Sequence, residues 1–112
     1  MRNKNVLGIA LGVLTVIIGA YVVSVVQVNA SLEKTFNSIS EGMTKDQVIG
    51  AMGKPDLVRE GCRDGPVWLD RPVPNKTCMS EFQYDARLLP KFWTVGFDAE
   101  NRAIAKYPYV SP

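Results

Sequence analysis

An uncharged apolar run near the N-terminus constrains this chain more than any other feature. No acidic or basic side chain lies between Asn5 and Leu32, and residues 6–28 are almost wholly Val, Ile, Leu, Gly and Ala. As a helix, about 23 residues rising ~1.5 Å each extend about 34 Å, enough to cross a hydrocarbon layer near 30 Å with slight tilt. Arg2 and Lys4 precede the run, whereas Glu33 and Lys34 cancel one another just after it. The positive-inside rule then keeps the N-terminus cytoplasmic and places the remainder on the far side of the membrane. A cleavable signal sequence is the competing expectation, because Val28-Asn29-Ala30 offers small or apolar residues where signal peptidase reads, with Ser31 as a new first residue. The run exceeds the usual apolar core of a signal peptide, which favours a retained anchor. No cysteine lies near its end, which excludes lipidation of the bacterial lipoprotein type. Gly8 and Gly12 form a GxxxG, and Ala20 with Ser24 repeats the small-residue spacing that lets two membrane helices dimerise. Glycine is also simply common in membrane helices.

The expected division is therefore a membrane anchor (or signal sequence) over 1–30 and one α+β domain over 31–112. About 80 residues is close to the lower limit at which a core supports itself without staples. Setting Arg2 and Lys4 aside leaves basic residues equal in number to the 11 acidic ones. A formally neutral domain lacks the clustered positive surface that nucleic-acid binding needs, so no nucleic-acid partner is expected.

Along the domain, Leu32, Phe36 and Ile39 recur at helical spacing, which predicts a short helix over 31–40 continuing from the anchor. Glu41-Gly42 breaks it. Thr44-Lys45-Asp46-Gln47 then matches a capping box, in which the Thr44 hydroxyl accepts from the Gln47 amide and the Gln47 side chain accepts from the Thr44 amide. Val48, Ile49 and Met52 form the apolar stripe, Gly53 suits the C-terminal turn, and Pro55 forbids continuation. After Pro55 the period changes from helical to alternating. Residues 57–61 read as weakly extended, and 81–85 alternate with Phe82 and Tyr84 on one face. Residues 92–97 put Trp93, Val95 and Phe97 on one face, 98–101 form a turn, and 102–107 return as a last strand. An antiparallel sheet follows, its apolar face covered by the helices.

Between the first two strands lies one long loop containing Gly65, Pro66, Pro72, Pro74 and Asn75, with Cys62 and Cys78 at its ends. Outside the cytoplasm a disulfide is the expected state. A metal pair or reactive thiols are the weaker alternatives; metal sites need about four ligands, and the chain has no histidine and no third cysteine.

Catalytic chemistry finds little support. Histidine, the commonest general base, is absent, as are GxSxG, Walker and GxGxxG motifs. The carboxylates are scattered among basic residues, as on a solvated surface. Neither an enzyme nor a cofactor is expected. Asn29-Ala30-Ser31 and Asn75-Lys76-Thr77 fit the glycosylation sequon, which matters only in a eukaryotic source. What remains is surface for binding, because constrained loops carrying aromatics often recognise partners. The candidates are Trp68 and Leu69 in the Pro-rich loop, Leu88 and Leu89 in the connection before the next strand, Phe92 at the start of that strand, and Tyr107 and Tyr109 flanking Pro108 in the tail. Trp68 could equally fold over one sheet edge as a lid.

Read in order, Phe36-Asn37-Ser38-Ile39-Ser40-Glu41-Gly42-Met43-Thr44-Lys45-Asp46-Gln47-Val48 and then Met52-Gly53-Lys54-Pro55 resembles the signature of the SmpA/OmlA (BamE-like) domain family. Trp93-Thr94-Val95-Gly96-Phe97-Asp98-Ala99-Glu100-Asn101-Arg102 is similar to that family's closing hairpin. The motif positions, Gly42, Met43, Thr44, Val48, Gly53, Pro55, Phe97 and Asp98, have structural roles. The resemblance implies two short helices packed on a three-stranded antiparallel sheet, a fold related to the β-lactamase inhibitor protein repeats. It also implies a non-catalytic role in the bacterial envelope. The best-known member is a lipoprotein accessory of outer-membrane β-barrel assembly. This chain differs in lacking a lipidated cysteine and in its Cys62–Cys78 loop, which favours the inner membrane with the domain in the periplasm. The implied function is scaffolding or modulation of an envelope protein. The alternatives are a role in barrel assembly, or inhibitor-type binding through the disulfide loop.

Overall fold

The computed structural model describes residues 2–63 and 65–110. The elements run α1 (Arg2–Ser38), α2 (Lys45–Met52), β1 (Leu57–Glu60), β2 (Val67–Trp68), β3 (Arg71–Pro72), β4 (Ser80–Asp85), β5 (Lys91–Phe97) and β6 (Ala103–Val110). Nothing in the apolar run breaks a helix, so α1 continues unbroken for 37 residues. It is one helix long and apolar enough to cross a membrane. Within it the Thr15 hydroxyl is satisfied locally, its Oγ1 donating to the Leu11 carbonyl at 2.8 Å. The short helix expected over 31–40 is not a separate element. It is the last turns of α1, and Phe36 and Ile39 are buried beneath them with Leu32 half-buried beside the core.

The Thr44 capping box forms as the sequence demands: Gln47 N–H donates to Thr44 Oγ1 at 3.2 Å and Thr44 N–H to Gln47 Oε1 at 2.9 Å. Gly53 ends α2 at φ 88°, a conformation that disfavours a side chain, and its N–H donates to the Ile49 carbonyl at 2.7 Å. Val48 and Met52 are buried, whereas Ile49 stays exposed.

Among the described residues the sheet has six strands in the order β1-β4-β5-β6-β2-β3, not the three expected. Every pairing is antiparallel except the single β2–β6 match of Trp68 with Lys106. The three long strands are those the alternating pattern predicts. The weakly extended stretch expected over 57–61 forms the short β1, and the additional strands are β2 and β3, a two-residue ribbon within the Pro-rich loop. The last strand also runs further than expected, so Tyr107 and Tyr109 belong to β6 rather than to a loose tail. Pro108 is tolerated there because, among the described residues, no strand pairs with the outer side of β6 past Lys106.

The α1 end and α2 cover one face of the sheet. Phe36, Ile39, Val48 and Met52 meet Phe82, Tyr84, Trp93, Val95 and Phe97 in one core. Phe82 and Phe97 pack edge to face with centroids 4.7 Å apart, a favoured aromatic geometry. Tyr84 Oη donates to the Gly53 carbonyl at 2.8 Å, tying β4 to the end of α2. Burial first, and then the Asp56 carboxylate, push that phenol up to about 12.

Lys106 departs from the apolar rule. It is 2% exposed on the helix-covered face, and its ammonium donates to the carbonyls of Ile39 at 3.0 Å and Asn37 at 3.3 Å. These carbonyls lie at the end of α1, where a helix leaves acceptors unpaired and its dipole favours a cation. The Phe36 and Trp68 rings flank the same ammonium, with centroids 5.0 and 5.4 Å away. Burial holds the Lys106 pKa below the ordinary lysine value. One side chain thus joins the end of α1 to the sheet and to β2.

Candidate interaction surfaces

The other face of the sheet is covered by the chain itself. Register places Arg59, Glu81, Gly96 and Ala105 in one row across β1, β4, β5 and β6. After β1 the chain leaves one edge of the sheet, forms β2 and β3 beyond the opposite edge, and returns to β4. Cys62 and Cys78 form a disulfide, with Cα atoms 5.6 Å apart, that closes this strap. It lies directly on Gly96: a Cβ there would stand 2.5 Å from Cys78 Sγ and 3.0 Å from Cys62 Sγ. Glycine at 96 is therefore required by close approach rather than by a turn.

Glu81 lies beneath the strap, only 1% exposed. Tyr107 Oη donates to its Oε2 at 2.8 Å, the Arg63 N–H donates to the same oxygen at 3.4 Å, and Arg59 Nη1 lies 3.6 Å from Oε1. A buried carboxylate with such partners is a pinned strut, since a charge left unpaired there would be expensive. Arg63 also stacks over Phe92, 5.6 Å from its centroid, and Phe92 stacks on Tyr109 at 4.6 Å. No group of three or more potential metal ligands occurs among the described residues.

The sequence-predicted interaction residues separate into three places. Trp68 is half-buried against the core in β2, and Leu69 beside it is exposed at φ 53°. Phe92, Tyr107 and Tyr109 lie on the strap-covered face, engaged as described. Leu88 and Leu89 stand exposed in the β4–β5 turn. Gly8 and Gly12 have open space around them on α1, with nothing within 4 Å of an added Cβ.

The open edge of β1 was not singled out by sequence. Its inner side pairs with β4, and among the described residues its outer side has no neighbouring strand. Beside it runs a shallow groove of about 710 Å³ lined by Lys45, Val58, Arg59, Glu60, Met79 and Ser80, among others. Val58 and Met79 are both exposed there. Residues 57–60 alternate too briefly for sequence to distinguish an edge strand from a loop. The available signal was apolar Val58 in β1 and Met79 just before β4, each followed by polar residues.

The linker before α2 has a second role. Gly42, at φ 91°, donates its N–H to the Ala103 carbonyl at 2.8 Å, and Ala103 N–H returns to Met43 at 2.8 Å. Thr44 bridges to Arg102, whose Nη1 donates to the Gly42 carbonyl at 2.9 Å. Asp98 closes the β5–β6 turn by accepting the Glu100 and Arg102 amides on Oδ1 at 2.9 and 3.0 Å. The two sequence motifs therefore meet in space. Comparison with protein-family models, with curated proteins and with solved structures finds no match to this chain.

Proposed function

We propose that this chain is a non-catalytic envelope protein, held in the bacterial inner membrane by α1, whose periplasmic BamE-like domain binds another envelope protein as scaffold or modulator. The observation that carries the reading is the β1 edge: a strand paired on one side only, with a groove beside it that exposes Val58 and Met79, in a domain whose two sheet faces are already covered. An open edge offers main-chain hydrogen bonds to an extended segment of a partner, and alternate side-chain pockets give selectivity. Kinship with the SmpA/OmlA domain is supported by the meeting of the Gly42-Met43-Thr44 and Asp98–Arg102 segments, whose bonds account for both motifs structurally.

Photo-crosslinking from Val58 and from Met79 in intact cells tests this reading. A discrete protein adduct at both positions, with the Met79 adduct lost when Val58→Pro removes an edge donor, is the expected result. Background labelling at both positions, equal to that from exposed Lys54 on the folded protein, would refute edge recognition.

A further inference from the structure

Asn29 is the first polar residue after the apolar run, and its side chain is fully engaged with the β4–β5 turn. Its Nδ2 donates to the Arg87 carbonyl at 3.0 Å, and Arg87 N–H donates to its Oδ1 at 2.7 Å. On the other limb of the turn, Lys91 Nζ pairs with Glu33 of α1 at 3.4 Å. Both limbs are thus fixed to the helix. Arg87 also shares a crevice of about 240 Å³ with Tyr21, Ser24, Val25 and Val28. The turn therefore lies alongside the last two turns of the apolar segment.

Depth follows from helix geometry. If Val6 marks one boundary of a ~30 Å hydrocarbon layer, a rise of ~1.5 Å per residue places the other near Val25. That is within the stretch Arg87 touches. At this level the turn presents Leu88, 71% exposed, and Leu89, 56% exposed. Leu88 is held at φ 59°, a left-handed conformation in which glycine or asparagine would be relaxed and a leucine is strained. Two leucines held outward by a strained backbone, beside a membrane helix, suit lipid better than water. Arg87 and Tyr21 are the residue types that occupy the headgroup zone.

We propose that the turn over residues 87–90 is a second membrane contact, with Leu88 and Leu89 entering the acyl boundary of the leaflet from which α1 emerges and Arg87 lying at the phosphate level. The proposal rests on the reading of α1 as a membrane anchor. Its consequence is that the domain cannot swivel freely about α1, because the helix and the turn together fix its tilt.

The test uses the full chain, with its disulfide intact, in vesicles of phosphatidylethanolamine and phosphatidylglycerol. Nitroxide labels are placed singly through Leu89→Cys, Glu100→Cys and Val16→Cys. At position 89, collision with oxygen should exceed collision with a water-soluble nickel chelate several-fold, as at position 16, with the reverse order at position 100. A position 89 label that matches position 100, while position 16 still reads hydrocarbon, overturns the turn contact but leaves the anchor standing. A position 16 label that reads water overturns the anchor itself, and the turn contact with it. Shielding at position 89 in native membranes but not in lipid vesicles would assign the leucines to a protein and also overturn the proposal. Asn29→Leu should move the position 89 label several-fold toward the aqueous reading without moving position 16; no movement would refute Asn29 as the group that sets depth.

Discussion

On the helix-covered face of the sheet, Phe82, Tyr84, Trp93, Val95 and Phe97 are buried against Phe36, Ile39, Val48 and Met52, with no covalent link involved. On the strap-covered face the same strands present Glu81, Thr94, Gly96 and Ala105, and the cover is an irregular loop closed by a disulfide. The contrast has a physical basis. Large apolar side chains drive a helix onto a sheet through the area they remove from water. The aromatic side chains of this face, Phe92, Tyr107 and Tyr109, lie further along the strands. The row of small and polar residues directly under the disulfide offers little such area, so a loop that packs on it needs another constraint. The Cys62–Cys78 bond supplies it by limiting the unfolded chain, and the Glu81 contacts fix where the strap lies.

Three variants would sharpen or break that contrast, the largest effect first. Trp93→Ala empties the centre of the helix-covered core and should cost about 3–5 kcal/mol, read as a fall in the urea midpoint; a loss below about 1 kcal/mol would show that this core is not what holds the helices. Replacing both cysteines, Cys62→Ala with Cys78→Ala, should cost about 3 kcal/mol in the chain-entropy model. Hydrogen exchange should then rise in the strap before it rises in α2. Equal loosening of both faces would mean that the disulfide supports the whole domain rather than its cover.

The smallest effect is one of pH. The Tyr84 phenol is raised to about 12 in the folded protein from an unfolded value of 10.0. Its contribution is therefore complete below pH 10 and is lost as pH rises toward 12, because the unfolded chain sheds that proton first. Denaturation from pH 9 to 12 should show a decline that Tyr84→Phe reduces. An unchanged decline would locate the alkaline loss elsewhere.

Much of the helix-covered face was legible in the sequence. The Thr44 capping box, the Gly53 stop, the apolar spacing of Val48 and Met52, and the alternation through β4 and β5 are local patterns that produced the elements they predict. The spacing of Phe36 and Ile39, by contrast, marked core positions at the end of α1 rather than a separate helix. The strap-covered face was not legible. The cysteines announced a closed loop, but β2 and β3 have two residues each and no periodicity to read. Their pairing depends on reaching β6 at Lys106, a contact distant in sequence. Lys106 and Glu81 looked like ordinary surface charges in alternating strands. Only their neighbours, the carbonyls at the end of α1 and the strap over β4, made them buried.

By itself, the sequence determined that one apolar helix leads into a mixed α+β domain with a capped short helix, a closing hairpin and a disulfide-closed loop, because periodicity, capping and covalent pairing act over short stretches or through residue identity. The tertiary structure alone decided the six-strand order, the strap across the second face, the open β1 edge and the Asn29 clasp on the β4–β5 turn. Each depends on which distant segments share a register or a hydrogen bond, and that is fixed only when the core draws the strands together.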